Sequence, residues 1–138
     1  MIKEGDLLWT PSPAWVEKTQ MADFMRWLAL EHDLHFKNYD ELWRWSVGDV
    51  GSFWGALWTY FKIESATPYG QVISGNEMIT TRWFEGARIN YAEHLLRHET
   101  TAKSDEIAFY HSTEIRPLAS ISWHELGSQV RAVATHLR

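Results

Sequence analysis

Two histidines four positions apart, His94 and His98, are the first candidates for chemistry in this 138-residue chain. On a helix that spacing places both imidazoles on one side, within reach of a single metal ion. A zinc site needs at least a third ligand, the His-Glu-x-x-His pattern is absent, and Arg97 adds a repelling charge beside His98. We therefore interpret both histidines as solvated side chains on the flank of a helix.

The other reactive residue types form no recognisable catalytic set. The absence of cysteine excludes disulfides, thiolate zinc sites and a cysteine nucleophile. There is no Gly-x-Ser-x-Gly elbow, and the glycines fit neither a phosphate-binding loop nor a dinucleotide fingerprint. The candidate aspartates belong to different predicted helices or caps: Asp23, Asp33, Asp40 and Asp49. The sequence motifs therefore identify no catalytic, cofactor-binding or metal-binding residue.

Composition narrows the class of protein. Hydrophobic residues make up 45% of the chain, enough for a globular core, and the length favours one domain. A net charge of −5 with scattered Lys and Arg disfavours nucleic-acid binding, so the nine tryptophans fit a core better than a stacking surface. No apolar run has the length of a signal peptide or a membrane span. We therefore expect a soluble, cytoplasmic protein that binds neither nucleic acid nor membrane.

The front half of the sequence predicts helices. Ser12 and Pro13 form an N-cap and a first helical position, and apolar spacing continues to a helix end near His32. Asn38 or Asp40 can start another short turn, which carries Leu42, Trp43 and Trp45. A capping-box spacing in Ser46-Val47-Gly48-Asp49 precedes a third helix with one broad apolar face, formed by Val50, Phe53, Trp54, Leu57, Trp58 and Phe61.

On that third face, Trp54 and Trp58 lie four positions apart, which predicts that both are mostly buried. Residues 65–77 contain Pro and Gly and predict a long loop with one short extended piece at 71–73.

Residues 83–93 read Trp-Phe-Glu-Gly-Ala-Arg-Ile-Asn-Tyr-Ala-Glu and predict a loop that leads into a helix. Asn90 can cap that helix while Glu93, three residues on, reaches back in a capping box. Leu95 and Leu96 then form its buried side.

The end of the chain changes character. Residues 99–106 are polar and small and predict a flexible connection. Residues 107–111 and 118–121 predict two strands joined by a turn. Ser122 and Glu125 start a final helix, which the chain does not finish and whose apolar face consists of Leu126, Val130, Val133 and Leu137.

The segment 83–93 closely resembles the Trp-Phe-x-Gly-(Ala/Gly)-x-Leu-Asn segment near the N-terminus of acetyl-CoA and acetoacetyl-CoA synthetases, and is more similar to the second group. Other features line up with that group in the same order: Trp9-Thr10-Pro11-Ser12, Phe24-Met25-x-Trp27-Leu28, Tyr39-x-x-Leu42-Trp43-x-Trp45, Phe53-Trp54, Ile107-Ala108 and Ser122-Trp123-x-Glu125-Leu126. Together they cover essentially the whole chain.

The resemblance implies an adenylate-forming enzyme, which joins a carboxylate to ATP and then passes the acyl group to coenzyme A. It implies acetoacetate as the acid, and ATP, Mg and CoA as needs of the full-length enzyme. The family's phosphate loop, hinge and catalytic Lys lie downstream of this region, so no catalytic residue is transferred. We expect a non-catalytic, structural N-terminal piece whose partner is the remainder of the same polypeptide.

The elements and the resemblance together predict an α+β, mainly α fold. Residues 1–98 form a Trp-rich helical cap region, and residues 99–138 form a short β-hairpin and C-terminal helix that start the large catalytic subdomain. Two strands are marginal alone. We therefore expect the hairpin either to fold back on the helical half or to pair with a second copy through its exposed strand edge.

Two alternatives stay open. The chain is instead a freestanding helical module that binds a protein through exposed aromatics, or it is the same region of a synthetase for acetate or another short acid.

Overall fold

The fold is described for residues 2–137 in a computed structural model. The chain divides into two compact units. The first comprises residues up to Ile63 together with Tyr69–Ala87, and the second comprises Glu64–Pro68 with the residues from Arg88 onward. The first unit contains α1 (Pro13–Val16), α2 (Gln20–His32), α3 (Tyr39–Gly48), α4 (Val50–Tyr60), β1 (Gln71–Ser74) and β2 (Arg82–Glu85).

The second unit contains α5 (Tyr91–Leu96), a 3-10 helix (Arg97–Thr100), β3 (Ile107–Thr113), β4 (Arg116–Ser122) and α6 (Trp123–His136). Each unit has one two-stranded antiparallel sheet among its described residues, β1 with β2 and β3 with β4. The predicted α+β, mainly α fold is therefore confirmed.

Side-chain caps determine where the first helices begin. The Ser12 hydroxyl accepts the backbone N–H of Trp15 at 3.3 Å, which starts α1 as predicted. Asn38 Oδ1 accepts the backbone N–H of Glu41 at 3.0 Å. Of the two residues predicted as starts for α3, Asn38 is therefore the cap, and Asp40 lies in the first turn, where its charge favours the helix N-terminus.

The predicted single helix from Pro13 to His32 is two helices. Thr19 separates them because its backbone is extended and its hydroxyl bonds in both directions. Thr19 Oγ1 donates to the carbonyl of Val16 at 2.7 Å and accepts the N–H of Ala22 at 3.2 Å. A threonine that bonds its neighbouring backbone favours a helix start over a helix interior. The end of α2 at His32 is as predicted.

The start of α4 differs from the predicted capping box at residues 46–49. Asp49 is the cap, and its Oδ1 accepts the N–H of Ser52 at 3.1 Å. This hydrogen bond lowers the pKa of Asp49. Ser46 instead donates to the carbonyl of Trp43 at 2.8 Å inside α3. The serine is occupied by the preceding turn, so the carboxylate three residues later takes the cap.

A small centre from α2, α3 and α4 anchors the first unit. Its buried side chains are Phe24, Leu28, Leu42 and Ala56, and Leu28 is 0% exposed. Partly buried aromatic residues surround this centre: Trp27, Phe36, Trp45, Phe53 and Tyr60. The predicted Trp-rich core is therefore wrong, because none of the nine tryptophans is fully buried. Trp27 and Trp45 instead pack around the core, where a side chain with a large apolar body keeps its polar edge near solvent.

The hairpin of β1 and β2 pairs Ile73 with Trp83. The extended piece predicted at residues 71–73 is confirmed as β1. The prediction that residues 83–85 belong to a loop is wrong, because they lie in β2, which pairs with β1.

In the loop between these strands, one backbone carbonyl accepts several hydrogen bonds. Glu77 O accepts the N–H of Thr80 at 3.1 Å and the N–H and hydroxyl of Thr81 at 2.8 and 2.7 Å. The side chains of Met78 and Ile79, at the tip, are each 97% exposed.

Two glycines let α4 approach β1 closely. A Cβ on Gly55 would lie 3.3 Å from Cγ2 of Val72, and one on Gly51 would lie 3.5 Å from Cγ2 of Ile73. Alanine at Gly51 would make an ordinary contact with Ile73, alanine at Gly55 would press on Val72, and side chains larger than alanine would separate the helix from the strand.

The second unit is organised around β3, β4 and α6. Both predicted strands are present, with Phe109 opposite Ile121. The predicted capping box is complete: the Ser122 hydroxyl accepts the N–H of Glu125 at 3.2 Å, and the Glu125 carboxylate accepts the N–H of Ser122 at 2.9 Å.

Residues 99–106 are hydrogen-bonded structure, and the prediction of a flexible connection is wrong. Ala102 N–H donates to the carbonyl of His98 at 2.8 Å, and Lys103 N–H donates to the Glu106 carboxylate at 3.3 Å. The polar side chains that suggested flexibility supply these internal bonds instead.

Candidate functional site

The first half of segment 83–93 is held by aromatic contacts. The ring of Phe84 lies 4.5 Å from that of Trp58 and 5.3 Å from that of Tyr69, between ring centroids. Phe84 has a φ of 47°, a left-handed conformation that is uncommon for a bulky residue, and Gly86 follows with a φ of 94°. Packing against two rings retains Phe84 in this strained conformation. The first half of this segment therefore contributes packing to the first unit.

Trp83 packs edge-on against Trp54, with ring centroids 5.6 Å apart. The two side chains stay 45% and 43% exposed, whereas Trp58 is partly buried. The prediction that Trp54 is mostly buried is therefore wrong, because the ring that covers it lies at the surface itself.

The second half of the segment is joined to the loop at residues 64–68. Ser65 Oγ accepts the N–H of Arg88 at 3.0 Å and donates to the carbonyl of Thr67 at 2.6 Å. Ala66 N–H donates to the Arg88 carbonyl at 2.8 Å. These groups border a polar cavity of about 230 Å³, lined by Glu64, Ser65, Ala66, Arg88, Asn90 and Glu93. The hydroxyl and backbone groups in its wall are used to hold the loop.

Asn90 caps α5 as predicted, and its Oδ1 accepts the N–H groups of Ala92 and Glu93 at 3.1 and 3.2 Å. Within residues 2–137, Glu93 makes no return bond to the Asn90 backbone, so only half of the predicted capping box forms. Leu95, predicted to be buried, is 46% exposed, whereas Leu96 is partly buried. Leu95 and Leu96 are adjacent, so their side chains point about 100° apart around the helix. The six-residue helix α5 therefore buries one of them better than the other.

The two candidate histidines bind different partners. His94 Nδ1 accepts the N–H of Glu64 at 3.4 Å, and His98 Nε2 lies 2.8 Å from Glu106 Oε1. In the part of the chain that the structure describes, no three His, Asp or Glu side chains are placed to hold a metal ion. Each imidazole joins one element to another instead.

Glu106 is the meeting point of three segments. Its carboxylate contacts His98 of the 3-10 helix, and its carbonyl accepts the N–H of Trp123 at 3.0 Å. The His98 ring also lies edge-on to the Trp123 ring, with centroids 4.8 Å apart. The hydrogen bond with His98, supported by that from Lys103, holds the pKa of Glu106 below its ordinary value.

A second carboxylate joins the 3-10 helix to α6. Arg131 donates to both oxygens of Glu99, at 2.7 and 2.8 Å, and the Glu99 side chain is only 16% exposed. The hydrogen bonds from Arg131 lower the pKa of Glu99, and Glu99 in turn raises the pKa of Arg131. Gly127 makes room for this pair, because a Cβ there would overlap the carboxylate. Neither Glu99 nor Arg131 was predicted as a site residue from the sequence, in which they lie 32 positions apart.

The first unit has its own carboxylate network. Tyr60 Oη donates to Asp23 at 2.8 Å, and Arg26 donates to the other oxygen at 3.2 Å. The Tyr60 bond is the larger cause of the lowered pKa of Asp23, and burial raises the pKa of Tyr60. The Tyr60 ring lies 4.9 Å from Phe24 and 5.4 Å from Trp27. The network therefore fastens α4 to α2 at the edge of the core.

An open, mainly apolar pocket of about 390 Å³ lies beside α1 and α2. Ligand sites need a few polar groups aimed at the ligand. Here Arg26 donates to the Glu17 carbonyl at 3.0 Å as well as to Asp23, and His35 is 3.0 Å from Asp33. Arg26 and His35 thus make these hydrogen bonds within the first unit, and no side chain of the described residues is shown aimed into the pocket for a ligand.

None of the helices between residues 2 and 137 combines the length and the hydropathy that a membrane-crossing helix needs.

Comparison with known proteins places these features in a family context. A family described as "Acetyl-coenzyme A synthetase N-terminus" matches residues 39–95, which extend from α3 to near the end of α5. Acetoacetyl-CoA synthetase of Rattus norvegicus is 34% identical over 99% of this chain, and that of Rhizobium meliloti is 32% identical over 95%. The match covers 20% of each of these relatives.

Two further relatives extend this result. Malonamoyl-CoA synthetase vrtB of Penicillium aethiopicum is 32% identical over 96% of the chain and 19% of its own length. The solved structure of acetoacetyl-CoA synthetase from Streptomyces lividans matches with a TM-score of 0.83 and 36% identity, covering 95% of this chain and 20% of that one. The chain thus spans about a fifth of the length of the relatives it matches. In sequence and in fold it is similar to the N-terminal region of the acetoacetyl-CoA synthetases, which confirms the resemblance carried by residues 83–93.

Proposed function

We propose that this chain is the N-terminal, non-catalytic region of an acetoacetate–CoA ligase. The observation that carries the proposal is the extent of the match, 99% of this chain against 20% of the rat acetoacetyl-CoA synthetase. The complete enzyme would be cytoplasmic and would convert acetoacetate, ATP and CoA into acetoacetyl-CoA, AMP and diphosphate.

The role of this region in that enzyme is structural. Three of its carboxylates with lowered pKa, Asp23, Glu99 and Glu106, are each hydrogen-bonded to a donor from another segment of the chain. The described residues offer no ligand set that fits Mg²⁺. The proposal therefore assigns ATP, Mg²⁺ and CoA to the rest of the polypeptide. Residues 1–98 would act as a helical cap region and residues 99–138 as the start of the large catalytic subdomain.

Two carboxylic acids are candidates for the substrate of the complete enzyme. The match to a malonamoyl-CoA synthetase makes malonamate the chemical rival. Acetoacetate and malonamate share a carboxylate, a methylene and a carbonyl group, and differ in that a methyl group on that carbonyl in acetoacetate is an amino group in malonamate. We propose acetoacetate because the similar solved structure is an acetoacetyl-CoA synthetase.

A freestanding interaction module is the second candidate. It is favoured by an exposed apolar stretch in which Leu7, Leu8 and Trp9 are 83%, 71% and 70% exposed. Trp9 packs edge-on against Trp15, which is also exposed, with centroids 6.1 Å apart.

A chimera separates the two candidates. This chain would replace the matched fifth of the Streptomyces lividans enzyme, and acetoacetyl-CoA formation would be measured with acetoacetate, ATP, Mg²⁺ and CoA. We expect activity in the chimera and none in the same enzyme lacking that fifth. The chain alone should release no more diphosphate than a boiled control. An inactive or unfolded chimera beside an active parent enzyme would favour the interaction module.

A further inference from the structure

Two tryptophan–tyrosine pairs in the first unit have nearly the same geometry and differ in one neighbour. The rings of Trp27 and Tyr60 lie edge-on with centroids 5.4 Å apart, and those of Trp58 and Tyr69 lie edge-on at 5.2 Å. All of these rings are partly buried. Of the two tyrosine hydroxyls, only that of Tyr60 donates to a carboxylate within residues 2–137, at 2.8 Å from Asp23 Oδ2. The pairs therefore differ in whether the phenol proton has an acceptor.

The contact between Tyr60 and Asp23 has the geometry of a proton transfer. A base takes a proton from a group within about 2.6–3.2 Å, and this pair lies in that range. The hydrogen bond from Tyr60 is the main cause of the lowered pKa of Asp23, and burial raises the pKa of Tyr60. At neutral pH the phenol therefore keeps its proton, and the carboxylate is ionised and able to accept it. Arg26 binds the other carboxylate oxygen at 3.2 Å and so keeps Oδ2 directed at Tyr60.

The contact between Trp27 and Tyr60 provides a path for an electron, because aromatic rings in close contact exchange electrons readily. An indole loses an electron without first losing a proton. A phenol that loses an electron becomes a strong acid, so its oxidation requires a base that takes the proton. Asp23 supplies this base to Tyr60, whereas the described part of the chain supplies no carboxylate to Tyr69.

From these contacts we propose that Tyr60 is an oxidation site, which takes over the one-electron oxidation of Trp27 and passes its proton to Asp23. The oxidant is a diffusible radical of the carbonate radical class, which takes one electron from Trp27 and leaves as carbonate. Tyr60 then gives one electron to the Trp27 radical cation, and the hydroxyl proton of Tyr60 moves to Asp23. The products are neutral Trp27, a neutral tyrosyl radical and a protonated Asp23.

This transfer protects the packing around the core. Trp27 and Tyr60 both pack against the buried centre of the first unit, so permanent addition of oxygen to the indole would disturb that packing. A tyrosyl radical keeps the shape of its ring. A reductant of the ascorbate class restores Tyr60 by giving it one electron, and Asp23 then returns the proton.

The inference goes beyond the proposed function and does not depend on it, because these residues all belong to the first unit and no ligase chemistry is involved. An inactive chimera would contradict the proposed function and leave this oxidation site unaffected.

The test locates radicals on the 138-residue chain. Azide radicals, which oxidise indoles in preference to phenols, would be generated by pulse radiolysis in the presence of a nitroso spin trap. Peptide mass spectrometry would then quantify the trap adducts on Tyr60 and Tyr69. Tyr69 is the matched control within the same molecule, because its tryptophan lies as close and it is also partly buried.

Two variants separate the base from the electron path. Asp23→Asn retains a hydrogen-bond acceptor of the same shape but removes the base. Trp27→Phe removes the oxidisable indole and leaves the bond between Tyr60 and Asp23 in place. Near-UV circular dichroism would show that each variant keeps its fold.

In the wild type we expect about tenfold more adduct at Tyr60 than at Tyr69, because a positioned base contributes at least about a hundredfold to a proton transfer. Each variant should lower the Tyr60 adduct to the level at Tyr69. Equal adducts on the two tyrosines of the wild type would overturn the inference, as would a Tyr60 adduct that Asp23→Asn leaves unchanged. If Asp23→Asn does not fold, Trp27→Phe decides, and an unchanged Tyr60 adduct in that variant overturns the inference.

Discussion

The carboxylate of Glu99 occupies the space above Gly127 in which any other residue would place its Cβ. Gly127 is buried although it lies within α6, where glycine costs about 1 kcal/mol relative to alanine. Glycine is needed at this position because the Glu99 side chain passes over it to reach Arg131. The identity of one helical residue thus depends on an ion pair that begins in another element.

The effect of Gly127→Ala on folding stability should therefore depend on whether Glu99 is present. Alone, it gains helix propensity but displaces the carboxylate from Arg131. In a Glu99→Ala background the same change meets no obstruction and should stabilise the protein by about 1 kcal/mol. We expect urea unfolding of the four proteins in this cycle to give a coupling energy of at least about 1 kcal/mol. Additive effects would show that Glu99 can leave Gly127 at no cost.

The Glu99–Arg131 pair should make stability depend on pH on the acidic side. The pKa of Glu99 is lower in the folded protein, so the unfolded chain binds the proton more readily. The stabilisation is complete above the unfolded value of about 4.3 and disappears as pH falls through the folded value. The stability difference between the wild type and Glu99→Gln should hold from pH 7 to pH 5 and shrink below about pH 4.

For this comparison, Glu114→Gln is the control, because Glu114 is exposed in the turn between β3 and β4. A gap between the wild type and Glu99→Gln that stays constant down to pH 3 would count against the pair.

The two glycines of α4 should respond differently to alanine. Gly51→Ala places its Cβ at an ordinary 3.5 Å from Ile73, and should stabilise by about 1 kcal/mol. Gly55→Ala places its Cβ 3.3 Å from Val72, so part of that gain is lost to repacking. Thermal unfolding of Gly55→Ala with and without Val72→Ala measures the loss. Equal gains at the two positions would mean that β1 shifts freely.

Core and shell residues should differ in their cost of truncation. Leu28→Ala removes the side chain that is 0% exposed, and should cost about 2–5 kcal/mol. Trp54→Ala removes a ring that is 43% exposed, and should cost less than about 2 kcal/mol. Chemical denaturation at pH 7 compares them. A larger loss for Trp54 would place the energetic centre of this unit at the Trp54–Trp83 contact.

Features set by neighbouring residues were predictable from the sequence. The caps at Ser12 and Asn38 and the capping box of Ser122 and Glu125 each involve residues three apart, so short patterns contain the whole interaction. The strands at 107–111 and 118–121 were also predictable, because each is a short run of neighbouring residues that favour a strand. The break at Thr19 was not, because the apolar spacing of one helix passes into the next without interruption.

Contacts between distant residues were not predictable. The strand β2 pairs with β1 across a loop, and its own residues show no clear alternation. Glu99 and Arg131 are 32 positions apart, and Asp23 and Tyr60 are 37 apart. Each is an ordinary polar residue until the fold brings its partner near. The resemblance in residues 83–93 identified the family without identifying these contacts.

The closed loop at Glu77 has a chemical consequence. Its tip holds Met78 at 97% exposure, while Met21 is 44% exposed and Met25 packs against the core. Oxidation of thioethers to sulfoxides follows access to solvent. Among the methionines in residues 2–137, peroxide should therefore oxidise Met78 first, where no packing is lost, so this oxidation leaves the fold unchanged.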